Sequence, residues 1–246
     1  MLPILFWIGP VPVYAYAVFS VAGILIGFWW AKREFARSGL PLAWLGKLLP
    51  FVILCALMGA RLLHVAFHWQ DYSDWQALIW RWRPGMSFHG AMFGSILGVW
   101  LAARYFKMPL MALLDALAPS AALGHAIGRV GCFVNGCCFG KVTQVAWAVS
   151  FRNPALCPDE LPRHPTQLYE AFGLVMIFAL LTGYSSRFKG ERFWLWLGGY
   201  SALRFITEFW REGMERLWLL TYPQWLSLLL IAVASLGLTK CRKSAT

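Results

Sequence analysis

The sequence predicts an all-α, polytopic membrane protein with about seven transmembrane helices, and three observations carry that reading. Hydrophobic residues fill 59% of the 246 positions and charged ones 13%, with a mean hydropathy of +0.57. One soluble core cannot hide that much apolar surface. Apolar stretches of about 17 to 25 residues recur along the chain, long enough to cross a hydrocarbon layer of about 30 Å as helices, whose amides are all paired internally. The 15 tryptophans suit the membrane–water interface.

The expected spans fall at 13–31, 46–67, 88–103, 110–127, 166–184, 193–210 and 218–238. The first and third are the cleanest apolar runs, and the second and sixth carry charge inside. The opening MLPILFWIGPVP lacks the basic n-region of a cleaved signal, so the first helix is expected to be retained despite the AYA at 15–17. Between the second and third spans, HWQDYSDWQALIWRWRPGMS is too short and too charged to cross, and is expected to lie along the interface. No repeat, heptad run or low-complexity tract breaks the chain, so residues 1–246 are expected to form a single integral-membrane domain.

Charge sets the expected orientation. Lys32, Arg33, Arg37, Lys47, Arg104, Lys107, Arg187, Lys189, Arg192, Lys240, Arg242 and Lys243 fall on one side. Arg81, Arg83, Lys141, Arg152, Arg163, Arg211 and Arg216 fall on the other, so twelve stand against seven. The positive-inside rule then puts the N-terminus outside and the C-terminus in the cytoplasm. The net charge of +11 calls for anionic membrane lipids as partners and for no nucleic acid.

Function has to come from the polar residues that apolar spans tolerate. Arg61, Arg129 and Arg204 each sit within or at the end of a span, where a charge costs about 3 kcal/mol on the lenient insertion scale. In GGYSALRFITEFWR, helical spacing places Tyr200, Arg204, Glu208 and Arg211 on one face. Two readings stand side by side: an internal Arg204–Glu208 pair that lets the helix enter the bilayer, or a Glu208 that holds the Arg204 guanidinium ready for a ligand anion. In GMSFHGAMFGS, Gly90, Gly94 and Gly98 form a small-residue ridge, and His89 is either a packing residue or a proton acceptor near neutral pH. Cys132, Cys137 and Cys138 are spaced C-x4-C-C rather than as the paired C-x-x-C of zinc sites, and His64 and His68 lack the acid of H-E-x-x-H. No metal and no cofactor are therefore expected. A disulfide, with Cys157 as one partner, stays open.

Four stretches in order, GMSFHG, GRVGCFVNGCCFG, RHPTQLYEA and GGYSALRFITEFWR, resemble the prolipoprotein diacylglyceryl transferase family, with looser matches in YAYAVFSVAG and LMGARLLHV. The resemblance implies an enzyme of the bacterial inner membrane with its site towards the outer leaflet. It would move the diacylglyceryl group of phosphatidylglycerol onto the lipobox cysteine of a prelipoprotein signal peptide and release glycerol 1-phosphate. By position in the motifs, Arg129 and Arg204 would clamp the phosphate, Glu208 would orient Arg204, and His89 would assist the cysteine. Asn135 would donate a hydrogen bond, while Tyr16, Tyr200 and Arg61 would bind the lipid substrate. Where many members carry asparagine and an acidic residue this chain has Cys132 and Cys137, and TYPQ at 221–224 replaces a more usual Met-Gly pair before the glutamine. Such departures leave a second reading, a catalytically altered paralogue that binds lipid or assists another membrane protein.

Overall fold

The computed structural model describes residues 4–67, 69–71, 87–151, 157, 159, 161–213 and 216–243, leaving out the side chains of Val11, Asp71, Phe88, His89 and Arg216. The expected interfacial segment between the second and third spans lies almost wholly outside the described residues. Seven long helices appear among them: α1 (Ala15–Arg37), α2 (Ala43–Phe67), α3 (Phe88–Tyr105), α4 (Leu110–Asn135), α5 (Thr166–Gly183), α6 (Glu191–Thr207) and α7 (Tyr222–Lys243). Five of them, α1, α2, α4, α5 and α7, are long and apolar enough to cross a membrane. The protein is mostly helical, as its sequence predicts.

Short hairpins that periodicity does not announce accompany the helices. β1 (Ile4–Ile8) pairs antiparallel with β2 (Val11–Tyr14), β3 (Val149–Ser150) with β4 (Pro162–Arg163), and β5 (Arg216–Leu217) with β6 (Leu220–Thr221). Two-residue strands carry too little alternation to be seen in sequence.

The chain divides into two compact units, one formed by residues 1–34 and 115–246 and the other by residues 35–114. In the smaller unit α2 and α3 lie against each other along Gly90, Gly94 and Gly98. A Cβ at Gly98 would stand 2.6 Å from the Phe51 carbonyl oxygen, and one at Gly90 or Gly94 would run into the carbonyl of Gly59 or Cys55. The ridge expected from the sequence is therefore filled by α2, and the absent side chains are what let the two backbones touch.

In the larger unit α4 is the central element. Half of its apolar window is buried, against 17% for α1 and 22% for α7. Gly23 and Gly124 set α1 against it: a Cβ at Gly23 would lie 2.7 Å from the Gly124 carbonyl oxygen. The start of α6 is fixed by Asp115, whose carboxylate accepts from the Gly190 amide at 2.6 Å and the Phe193 amide at 2.9 Å. These are amides that a helix N-terminus otherwise leaves unpaired, so the carboxylate takes the place of a cap residue. Arg192 pairs with Glu34 of α1 at 2.7 Å. Together these contacts fix one end of α6 and so the position of the polar residues at its other end.

α6 stops earlier than the spacing of its polar residues predicts. The α-helix ends at Thr207, Glu208–Trp210 make a 3-10 turn, and Arg211 is extended, with φ −79° and ψ 152°. Tyr200 and Arg204 thus share a helical face. Glu208 and Arg211 reach the same place through the tighter turn and a bridge from Arg211 to Gly140.

Candidate active site

Four elements of the larger unit send charged side chains to one buried point. Glu170 of α5 is its hub. Arg129 Nη2 of α4 lies 2.7 Å from Glu170 Oε2, while Arg204 Nη1 and Arg211 Nη1 stand 3.3 and 3.6 Å from Glu170 Oε1. The second carboxylate, Glu208, meets Arg204 Nη2 at 2.7 Å and Arg211 Nε at 3.8 Å. Its other oxygen accepts from the Thr221 hydroxyl at 3.1 Å, and Gln224 Oε1 in turn accepts from the Thr221 amide at 3.0 Å. Glu170 is fully buried and Arg129, Arg204 and Glu208 are nearly so. The fork of Arg204 thus spans two carboxylates on two elements, which a point-charge ammonium cannot do.

Among the described contacts, three guanidiniums meet two carboxylates at this point. Buried charge is sustained only when paired, so this arrangement is set up for an anion. A cavity of about 230 Å³ reaches the cluster, lined by Lys141, Glu208, Arg211, Thr221 and Gln224 among others. Lys141 is held at its mouth by a 2.7 Å hydrogen bond to the Phe209 carbonyl.

The expected site residues distribute as follows. Arg129, Tyr200, Arg204 and Glu208 come together. The buried Tyr200 ring stacks on Trp196, with centroids 6.5 Å apart and planes 14° from parallel, and Tyr200 lies within electrostatic reach of Arg129, Glu170 and Arg204. Tyr16 on α1 is half exposed and within electrostatic reach of Cys132, Cys137 and Cys138. Asn135 is the last residue of α4, close to the Cys137 thiol. Arg61 on α2 and His89 in the first turn of α3 belong to the smaller unit, and the His89 side chain lies outside the described residues.

Sequence reasoning missed Glu170 and Thr221. Glu170, in RHPTQLYEA, is the only Asp or Glu of the 166–184 span, and an acid in so apolar a run is the signal that marks it. His125, one helical turn before Arg129, was also missed; its ring meets Tyr200 edge-on at 4.9 Å.

The turn after α4 explains GRVGCFVNGCCFG. Gly136 takes φ +73° while its amide bonds to the Phe133 carbonyl and the Cys137 amide to the Cys132 carbonyl, both at 3.1 Å, which is the Schellman arrangement that ends a helix. Thr166 and Gln167, at the start of α5, hold the Cys138 and Cys137 carbonyls at 2.9 and 2.6 Å. The reversal brings the sulfurs of Cys132, Cys137 and Cys138 within 4.8 Å of one another. The Cys138 thiol is pushed well below the usual thiol range, first by hydrogen bonds from Cys132 and Cys137 and then by the charges of Arg211 and Arg129.

A second cavity, of about 580 Å³, is nearly all apolar, with Trp147, His164, Leu168, Tyr169, Phe172, Leu203, Ile206 and Trp210 in its wall. The Tyr169 hydroxyl accepts from Trp147 Nε1 at 2.7 Å and lies 3.0 Å from His164 Nδ1.

Comparison with known proteins agrees with the motifs. Residues 3–240 match the family described as prolipoprotein diacylglyceryl transferase. Similar proteins include a phosphatidylglycerol--prolipoprotein diacylglyceryl transferase of Neisseria gonorrhoeae, 33% identical over 97% of this chain and 95% of its own length. Proteins of the same name are 34% identical in Neisseria meningitidis and 35% identical in Bordetella parapertussis, the latter over 98% of this chain and 95% of its own length. The chain belongs to the prolipoprotein diacylglyceryl transferase family.

Proposed function

We propose that this protein transfers the diacylglyceryl group of phosphatidylglycerol to the lipobox cysteine of prelipoprotein signal peptides. The observation that carries this is the buried convergence of Arg129, Arg204 and Arg211 on Glu170 and Glu208, since preset guanidinium forks are the groups that grip a phosphodiester. The cysteine thiolate attacks the glycerol CH2 carbon next to the phosphate. A sulfur–carbon bond forms, the carbon–oxygen bond breaks with its electron pair moving to the phosphate oxygen, and glycerol 1-phosphate leaves. Charge grows on the phosphate as that bond breaks, so guanidiniums fixed beforehand by Glu170 and Glu208 stabilise the transition state more than the ground state. Arg129 and Arg204 are the phosphate clamp in this account, with Asn135 as an additional donor. Tyr16, Tyr200 and Arg61 contact the lipid, and His89 assists the cysteine, either as a hydrogen-bonding residue of the site or as the base that takes the thiol proton.

Seven spans, with α3 and α6 joining the five clearest, put the N-terminus outside and the C-terminus in the cytoplasm, on the strength of twelve basic loop residues against seven. The site then faces the outer leaflet of the bacterial inner membrane, where phosphatidylglycerol and the signal peptide both arrive. Membrane lipids surround the chain; no nucleic acid, cofactor or metal enters the reaction.

The test is direct. Purified protein in detergent, given phosphatidylglycerol and a lipobox peptide, yields the thioether and glycerol phosphate, with phosphatidylethanolamine the poorer donor. Absence of product from an accessible peptide cysteine rejects the reading. For His89, the parent rate rises with pH through about 6.5 and then levels, while His89→Gln loses that limb and about a hundredfold in rate. An unchanged profile with a small loss removes His89 as the base.

A further inference from the structure

The three thiols at the end of α4 are the polar cluster that the transferase reading leaves unused. Their sulfurs all lie within 4.8 Å of one another. All three are free thiols, Cys132 buried and Cys137 and Cys138 partly accessible. A metal–sulfur bond of about 2.3 Å puts three sulfurs around one ion about 4 Å apart, so they need to close by less than about 1 Å to share one. The backbone is already fixed for this. Cys132 and Cys137 are tied through the Schellman turn, Cys138 is held at φ +64°, and the carbonyls of Cys137 and Cys138 are gripped by Gln167 and Thr166. A site whose ligand backbones are fixed before the ion arrives loses little conformational freedom on binding.

We propose that Cys132, Cys137 and Cys138 form a three-thiolate site for a thiophilic d10 cation such as zinc, a role that the proposed transfer chemistry does not assign to them. Sequence spacing argued against zinc because C-x4-C-C is not a paired C-x-x-C. The missing proximity is supplied by the helix end, which folds the second and third cysteines back under the first. Ligand chemistry favours a soft or borderline metal, since all three donors are sulfur and a hard cation would want oxygen. Coordinated thiols give up their protons, so a divalent ion with three thiolates carries one negative charge. That charge sits within reach of the Arg129 and Arg211 guanidiniums. A disulfide is the competing outcome. It would use only two of three converging sulfurs, and between the adjacent Cys137 and Cys138 it would be strained.

Reduced, chelator-treated protein in detergent is titrated with cadmium chloride under anaerobic conditions, reading the thiolate-to-metal absorption in the ultraviolet, with zinc chloride as competitor. The expected result is saturation at one equivalent, displacement by zinc, and a cadmium NMR shift in the range of sulfur ligation. Each of Cys132→Ser, Cys137→Ser and Cys138→Ser weakens binding about tenfold or more, since loss even of an outer partner costs a metal site that much. Cys241→Ser leaves binding unchanged. Gel filtration and thermal melting check each variant, and if buried Cys132→Ser does not fold, the other two variants and the cadmium shift still decide. Absence of saturable binding overturns the site, as does a band that survives all three changes or thiol counting that finds two of the three cysteines joined in the freshly isolated protein.

Discussion

Two helix pairs in this protein are joined by opposite means. In the smaller unit, α2 and α3 meet through what is missing: Gly90, Gly94 and Gly98 bring backbone against backbone, and the seam carries no charge among its described contacts. In the larger unit, α4, α5 and α6 meet through what is present, three arginines and two glutamates buried where each would be costly alone. Lipid tails are as apolar as leucine, so close packing suffices to hold a helix pair together in a membrane. Buried ion pairs are a weak source of stability, because desolvation offsets most of their attraction. The glycine seam is explained by packing alone, and the charged seam calls for the ligand-binding role proposed for it.

Substitutions separate these two accounts, and the largest effect is expected at the hub. Glu170→Gln keeps the shape of the side chain but leaves three guanidiniums against one carboxylate; breaking a buried pair costs about 3 to 5 kcal/mol. A large drop in the thermal melt and loss of transfer are expected together, measured by melting in detergent and by thioether formation. Arg204→Lys keeps the charge and loses the fork that spans Glu170 and Glu208. Transfer should fall about a hundredfold, the scale for one lost oxyanion donor, with the protein still inserted. Near-normal turnover would show that bulk charge is enough.

The glycine seam gives the reverse pattern. Gly94→Leu places a side chain against the Cys55 backbone and should lower stability by about 1 to 3 kcal/mol, read from the melt. Gly46→Ala, with nothing within 4 Å of the added carbon, should leave it unchanged. The smallest effect is one of pH. Burial, and then the charge of Lys141, hold the His164 pKa below its ordinary value. A histidine depressed in this way favours the folded state above its unfolded pKa of about 6.5, and that contribution is lost as pH falls through the lower folded value. Acidification should therefore loosen the Trp147–Tyr169–His164 network and shift tryptophan emission, a shift absent in His164→Asn.

The helices were legible in sequence because lipid demands long apolar runs: a helix covers most of each expected span, five of them long and apolar enough to cross, while residues 13–14, 208–210 and 218–221 fall outside the α-helices. The arginines were legible because charge is rare in such runs. Glu170 was equally visible as an acid in a span, yet its role as hub depends on contacts 34 and 41 residues away along the chain, which no local pattern carries. The end of α6 at Thr207 escaped because Glu208 and Arg211 fit helical spacing whether or not the helix continues. The thiol cluster escaped because the Schellman turn, and not the spacing, brings its members together.

The central claim is that the buried arginine cluster is the phosphate site, and phosphorus NMR of phosphatidylglycerol added to the protein in detergent tests it most directly. The parent should shift or broaden the headgroup signal in a saturable way. Arg129→Gln and Arg204→Gln should each abolish that change, while Arg104→Gln, in the last turn of α3, should keep it. Undiminished binding in both Arg129→Gln and Arg204→Gln would contradict the account.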